Sequence, residues 1–135
     1  MRKILFRGKR LQGGEWVEGY FFKSDINKKE RESGKATIIF TPDCDTFIMV
    51  PECHNSFMVV SDTVGQYTGM KDKNGKRVFE GDILSLRTGR PHVVRFENGA
   101  FILEDSAIPM SFAIKFDIIG NVHDNPELIK EEEKP

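Results

Sequence analysis

Cys44, Cys53 and His54 are the residues of this chain whose types suit metal chemistry, because thiolate and imidazole are good zinc ligands. Their spacing, Cys-x8-Cys-His, lacks the close Cys-x2-Cys pair that pre-positions two thiolates. A fourth ligand would have to come from His92, His123 or a distant carboxylate. Neighbouring Cys53 and His54 also point to opposite sides of an extended strand. The reading is two reduced cysteines and a surface or capping histidine, with no metal and no cofactor.

Nucleophilic catalysis needs an activated Ser or Cys, a base and an orienting group within hydrogen-bond reach. The chain has the residue types but no Gly-x-Ser-x-Gly or comparable local motif, so no catalytic residue is assigned and an enzyme is the least favoured class. Glu80 and Asp82 flank Gly81 and form a carboxylate pair on paper. The structural alternative is preferred: Gly81 and Asp82 enter a strand, Asp82 bonds to turn amides, and Ile83 and Leu86 pack inward. Gly65-Gln66-Tyr67-Thr68-Gly69 holds two glycines but does not lead into a helix, so it is no phosphate cradle. Gln66 or Tyr67 could still offer a polar ligand contact while the other inserts into the sheet.

Charge suggests a different chemistry. Twenty Lys and Arg against 21 Asp and Glu leave a formal charge of -1, which does not imply bulk attraction to nucleic acid or an anionic membrane. The distribution alternates, however. Residues 1–35 carry 10 basic and 5 acidic side chains, 36–70 carry 0 and 4, 71–100 carry 7 and 4, and 101–135 carry 3 and 8. A sheet built from both halves could gather Arg2, Lys3, Arg7, Lys9, Arg10, Arg87, Arg90 and Arg95, with Trp16 or Tyr20 beside them to stack on exposed bases. The plainer alternative is that these cations alternate outward along amphipathic strands and pair with the acidic segments. Trp16 is likewise either inter-sheet packing or an aromatic anchor for a partner.

The elements that must position these residues read as hairpins. Ile4–Leu11 and Glu15–Phe22 flank Gln12-Gly13-Gly14, whose glycines allow a tight reversal. Lys23–Lys35 is a charged exposed loop, and short strands follow at Ala36–Phe40, Thr46–Val50 and Phe57–Val60. An Asn74-Gly75 two-residue turn would set Asp72 opposite Arg77, Lys71 opposite Val78 and Met70 opposite Phe79. A second at Asn98-Gly99 would set Phe96 opposite Phe101 and Val94 opposite Leu103, with Arg95 facing Ile102 and Glu97 facing Ala100. Met110–Lys115 fits a helical turn or a strand. A last strand spans Phe116–Val122 with Gly120 at a bend or bulge, and Asn125-Pro126 starts a short helix.

No amphipathic helix of 10 to 15 residues separates these runs, which excludes a parallel α/β sheet and favours mainly antiparallel β structure. The segment from about Val64 to Val122 holds enough strands for a small barrel, with the N-terminal half as a β extension. Residues 1–62 and 63–135 are the expected subdomains. At 135 residues and with 11 Phe, the chain has core volume without needing a disulfide or metal staple. The apolar run Ile4–Phe6 is too short for a signal peptide, and nothing approaches the roughly 20 apolar residues of a membrane span. These features imply a cytoplasmic protein with no membrane partner.

The ordered series Ile4-Leu5-Phe6-Arg7-Gly8-Lys9, Trp16-Val17-Glu18-Gly19-Tyr20, Val64–Gly69, Lys71–Gly75 and Phe79–Ile83 resembles the YopX family of phage and prophage proteins. The Phe96–Phe101 hairpin and the ending Ile119-Gly120-Asn121-Val122-His123-Asp124-Asn125-Pro126-Glu127-Leu128 extend the resemblance over nearly the whole chain. It implies a mainly β fold with an SH3-like element in the C-terminal part, and it supplies no catalytic residues. The expected function is a noncatalytic protein-interaction or assembly module, its partner a second copy or a phage or host protein. The alternative is a nucleic-acid-binding accessory protein. Arg7, Trp16, Tyr20, Arg87, Arg90 and Arg95 are the candidate binding residues. Elemental analysis should find no stoichiometric zinc, and thermal unfolding in chelator should match that in buffer; one tightly held zinc whose removal unfolds the chain would reverse this reading.

Overall fold

Short runs of β-branched and aromatic residues, punctuated by Gly, Asn and Asp, become ten strands in the computed structural model, which describes residues 2–24, 45–86 and 89–130. The chain divides into two units, Leu5–Val64 and Gly65–Pro135 together with Met1–Ile4.

In the first unit β1 (Phe6–Lys9) and β2 (Trp16–Lys23) form the expected hairpin, with Lys9 opposite Trp16 and Phe6 opposite Gly19. Its reversal is closed by the Arg10 amide donating to the Glu15 carbonyl at 2.8 Å. β3 (Thr46–Val50) falls where expected and pairs with β2, and β4 (Asn55–Met58) pairs with β3, giving the antiparallel order β4-β3-β2-β1. β4 ends before Val59 because that residue leaves the ladder to bridge Arg10, while its amide still reaches the Thr46 carbonyl at 3.0 Å. Ile48 and Val59 are fully buried, and Phe6 packs on Phe21 with ring centroids 5.4 Å apart. The expected strand Ala36–Phe40 lies outside the described residues, as does the Lys23–Lys35 loop beyond Ser24.

The second unit contains a hairpin, β5 (Gly65–Lys71) with β6 (Arg77–Phe79), and a sheet of β7 (Asp82–Ser85), β8 (His92–Glu97), β9 (Ala100–Leu103) and β10 (Asp117–Asn121). That sheet has the antiparallel order β10-β7-β8-β9. The fold is mainly antiparallel β as expected, but the expected SH3-like small barrel is wrong. No sheet of the described residues closes, because β10 and β9 stand at opposite edges of an open sheet and no ladder joins β6 to β7. Instead the chain leaves one sheet and enters the other at Gly81, whose φ of 93° is accessible to glycine at little cost. Asp82 secures this corner by accepting the Phe79 amide at 2.7 Å, the structural role anticipated for it. Ile83 is buried as expected, whereas Leu86 is exposed.

A 3-10 turn at Met110–Lys115 resolves the ambiguous segment and delivers Ala113 and Phe116 into a core with Val78, Leu84, Val94 and Leu103. The Asn98-Gly99 hairpin has the predicted register, with Phe96 opposite Phe101 and Val94 opposite Leu103. The Asn74-Gly75 hairpin does not. Lys71 lies opposite Arg77 and Tyr67 opposite Phe79, with a bulge between Tyr67 and Lys71.

The cause of that shift is Asp72, which is buried. One carboxylate oxygen accepts the amides of Asn74 and Lys76, both at 2.9 Å, and the other accepts the Ile118 amide of β10 at 3.2 Å. A loop wrapped around a carboxylate replaces the two-residue turn and ties the hairpin to the edge of the second sheet. Lys73 and Asn74 reinforce the tie by reaching Asp117 at 3.0 and 2.8 Å. Further along, Gly120 does mark a bulge, where a Cβ would lie 2.5 Å from the Asn125 side-chain oxygen. Asn125 spends that oxygen on the Asn121 amide at 3.2 Å instead of capping the short helix α1 (Glu127–Lys130).

Burial alone would raise the pKa of Asp72, but the amides of Lys76, Ile118 and Asn74 outweigh it and hold the carboxyl below its ordinary value. A depressed folded-state pKa means that this stabilisation is present above the ordinary carboxylate range and is lost as pH falls through the folded value. Asp72→Asn removes the charge and replaces one of the two accepting oxygens by an NH2 donor, and should cost about 1–3 kcal/mol at neutral pH. In urea unfolding as a function of pH, the gap between wild type and variant should shrink as pH drops below about 4. A gap independent of pH would show that the carboxylate charge contributes nothing.

Candidate functional site

Directly opposed residues in an antiparallel ladder share a face of the sheet. The registers of the first unit therefore put Lys9, Arg7, Trp16, Glu18, Tyr20 and Phe22 on one face, together with Phe47 and Met49 of β3 and Met58 of β4. The other face holds Gly8, Phe21 and Ile48 and is the core side, where Gly8 sits against Val59. A sheet with one buried side normally carries polar residues on its outer side. Here β2 is apolar at both parities, with Val17 and Phe21 inward and Trp16, Tyr20 and Phe22 outward.

Tyr20, Phe22, Met49, Phe47 and Met58 adjoin one another across β2–β4, and Glu18 separates them from Trp16. Tyr20 is 50% exposed and Phe22 39% exposed, while Trp16, Phe47, Met49 and Met58 are half-buried. Phe22 stacks on Phe47 with centroids 5.2 Å apart and planes 11° from parallel. At the β1 margin the Arg7 guanidinium lies 4.7 Å from the Trp16 ring centre, and the Lys9 ammonium lies 6.0 Å from it. These distances lie within cation–π range, so the indole face presented to β1 is already covered by cations.

The structure brings Arg7, Trp16 and Tyr20 onto this one face. Arg90 and Arg95 belong to the other unit: Arg90 is exposed, and Arg95 is bonded to Glu104 at 3.0 Å. Arg87 lies outside the described residues. Arg10 is held by Glu15 at 3.4 Å and by the Phe57 ring at 4.5 Å. The cations expected on one face are thus divided between units. Sequence reasoning missed Phe22, Phe47, Met49 and Met58 as members of the row; the available signal was the two-sided apolar pattern of β2.

For the other chemistries, Cys53 is an exposed free thiol, His54 occupies a turn at φ 57°, and Cys44 lies outside the described residues. His92 places Nδ1 2.9 Å from the Glu104 carbonyl and its ring edge-on to Phe116. Among the described residues no group of three or more His, Cys, Asp or Glu side chains is assembled to hold a metal ion. Glu80 directs a carboxylate oxygen to the Gln66 amide at 3.4 Å, away from any shared site with Asp82, which faces the Phe79 amide. No described helix is long and apolar enough to cross a membrane.

With this geometry in place, the family model described as YopX protein matches residues 5–130. None of the curated proteins compared with the chain matches it. The fold is similar to the crystal structure of protein EF1440 from Enterococcus faecalis, with 23% identity, a TM-score of 0.54, and coverage of 96% of this chain and 99% of that one.

The outward row and the core should respond differently to truncation. Tyr20→Ser should leave stability within about 0.5 kcal/mol, whereas Ile48→Ala on the inner face should cost about 2–5 kcal/mol. Urea unfolding followed by Trp16 fluorescence measures both. An equally large loss for Tyr20→Ser would make it a core residue and not part of an available face.

Proposed function

The chain belongs to the YopX family, and on that premise we propose that it is a noncatalytic protein-interaction module whose docking surface is the outward face of β1–β4. One observation carries the reading: Tyr20, Phe22, Phe47, Met49 and Met58 adjoin one another, with Trp16 beyond Glu18, on the face that sheet architecture ordinarily leaves polar. Aromatic and Met side chains are enriched in protein interfaces, and Trp, Tyr and Arg are their usual anchors. The Arg7 guanidinium is itself partly buried beside Trp16, so the apolar residues carry the contact. A second copy of the chain can meet them with an equal apolar surface, in the isologous manner of two-fold dimers.

Protein association ranks ahead of base stacking at Trp16 because Arg7 and Lys9 already lie over the indole, whereas a single-strand platform must present its ring to a base. Light scattering over a concentration series should show the mass rising toward a dimer. Tyr20→Ser with Phe22→Ser should restore the monomer mass while the circular dichroism spectrum is kept. A monomer at every concentration, or a dimer indifferent to both substitutions, would overturn the reading.

A further inference from the structure

A cleft of about 390 Å³ lies wholly within the second unit. Its lining includes Arg2, Lys3, Gln66, Thr68, Phe96 and Phe101, and among the described residues no carboxylate. Arg2 and Lys3 are exposed, and among the described residues neither has an acidic partner. Gln66 and Thr68 point to one side of β5, while Tyr67 points to the other and packs on Phe79 with centroids 5.6 Å apart. The Thr68 hydroxyl is committed, donating to the Val78 carbonyl at 2.8 Å and accepting the Met70 amide at 3.1 Å, so it shapes the wall. The Gln66 side-chain amide has no partner among the described residues and offers a donor and an acceptor in one plane. Facing them, Phe96 and Phe101 meet edge to face with centroids 5.0 Å apart, and Phe96 is 51% exposed.

Two cations, a planar amide and an exposed aromatic ring around one small cleft recognise an anion that carries a flat polar ring. We propose that this cleft binds one nucleotide unit, with phosphate on Arg2 and Lys3, the base against Phe96, and the base edge on Gln66. The volume lies toward the lower end of small-ligand clefts, which span roughly 300–1,000 Å³, and suits one nucleotide better than a dinucleotide. The unit can come from a free nucleotide or from the end of a single strand, since both present the same phosphate and base. Among the described residues no cation lies over the Phe96 ring, in contrast to Trp16.

Isothermal titration calorimetry of the full chain with AMP, adenosine, inorganic phosphate and a ten-residue oligothymidylate tests this at low salt. AMP should bind at least tenfold more tightly than adenosine or phosphate alone. Phe96→Ala should weaken AMP binding on the order of tenfold, the usual loss on deleting a stacking ring. Because Phe96 also packs on Phe101, Arg2→Gln with Lys3→Gln provides an independent variant in the exposed N-terminal segment. It should abolish the salt dependence of AMP binding and leave adenosine binding unchanged. Tighter binding of the oligonucleotide than of AMP identifies a strand as the source, and equal or weaker binding identifies the free nucleotide. Absence of heat with both AMP and the oligonucleotide, phosphate binding as well as AMP, or affinity indifferent to both variants would overturn the proposal.

Discussion

The carboxylate of Asp72 is the constraint on which the second unit depends. It sits buried in a loop that has no apolar side chain to fill it, and three amides from Asn74, Lys76 and Ile118 converge on its two oxygens. A buried charge is tolerated only when its lone pairs are satisfied, and satisfaction here requires chain segments 46 residues apart to meet. The β5–β6 hairpin is therefore anchored to β10 by polar geometry as well as by the core of Val78, Leu84 and Phe116. Lys73 and Asn74 add a second, solvent-facing connection through Asp117, whose pKa is lowered by those two hydrogen bonds. The hairpin carries Gln66 and Thr68 at its start, so the same anchor fixes one wall of the small cleft.

The first unit follows a different logic. β2 is apolar on both sides, which supplies a core with Ile48 and Val59 and leaves an aromatic row outside. The most deeply buried residues, Ile48 and Val59, lie on the other face. The cations of β1 cover part of Trp16 and lessen the cost of leaving an indole at the surface. Tyr20 and Phe22 receive less cover and are the most exposed members of the row. Apolar area that persists beyond what folding requires is the ground for the docking proposed at this face.

The parts of the fold legible in the sequence are those governed by neighbours along the chain. The N-terminal hairpin, β3, the Asn98-Gly99 hairpin and the Gly120 bulge follow from turn residues and period-two patterning, which act over a few residues. The register at Asn98-Gly99 could be written down because both strands have one apolar side and the turn admits two residues. The same turn dipeptide failed at Asn74-Gly75 because Asp72 prefers three amides, one of them from β10, to a place in the ladder. The short helix does begin after Asn125-Pro126, although the Asn125 side-chain oxygen bonds back to the Asn121 amide and not forward to the helix.

Sequence alone determined an antiparallel β protein, its hairpins, the absence of a local catalytic motif, and the presence of Arg7, Trp16 and Tyr20 on adjoining strands. Tertiary structure decided that the C-terminal strands form an open sheet and a hairpin instead of a barrel. It also decided that Phe22, Phe47, Met49 and Met58 extend the aromatic face, and that the residues at 2–3 meet those at 66–68 and 96–101 around a cleft. The reason is range: turn chemistry and alternation fix which neighbours pair. Sheet closure, edge position and convergence on a cleft depend on contacts between residues tens of positions apart, for which pattern along the chain carries no information.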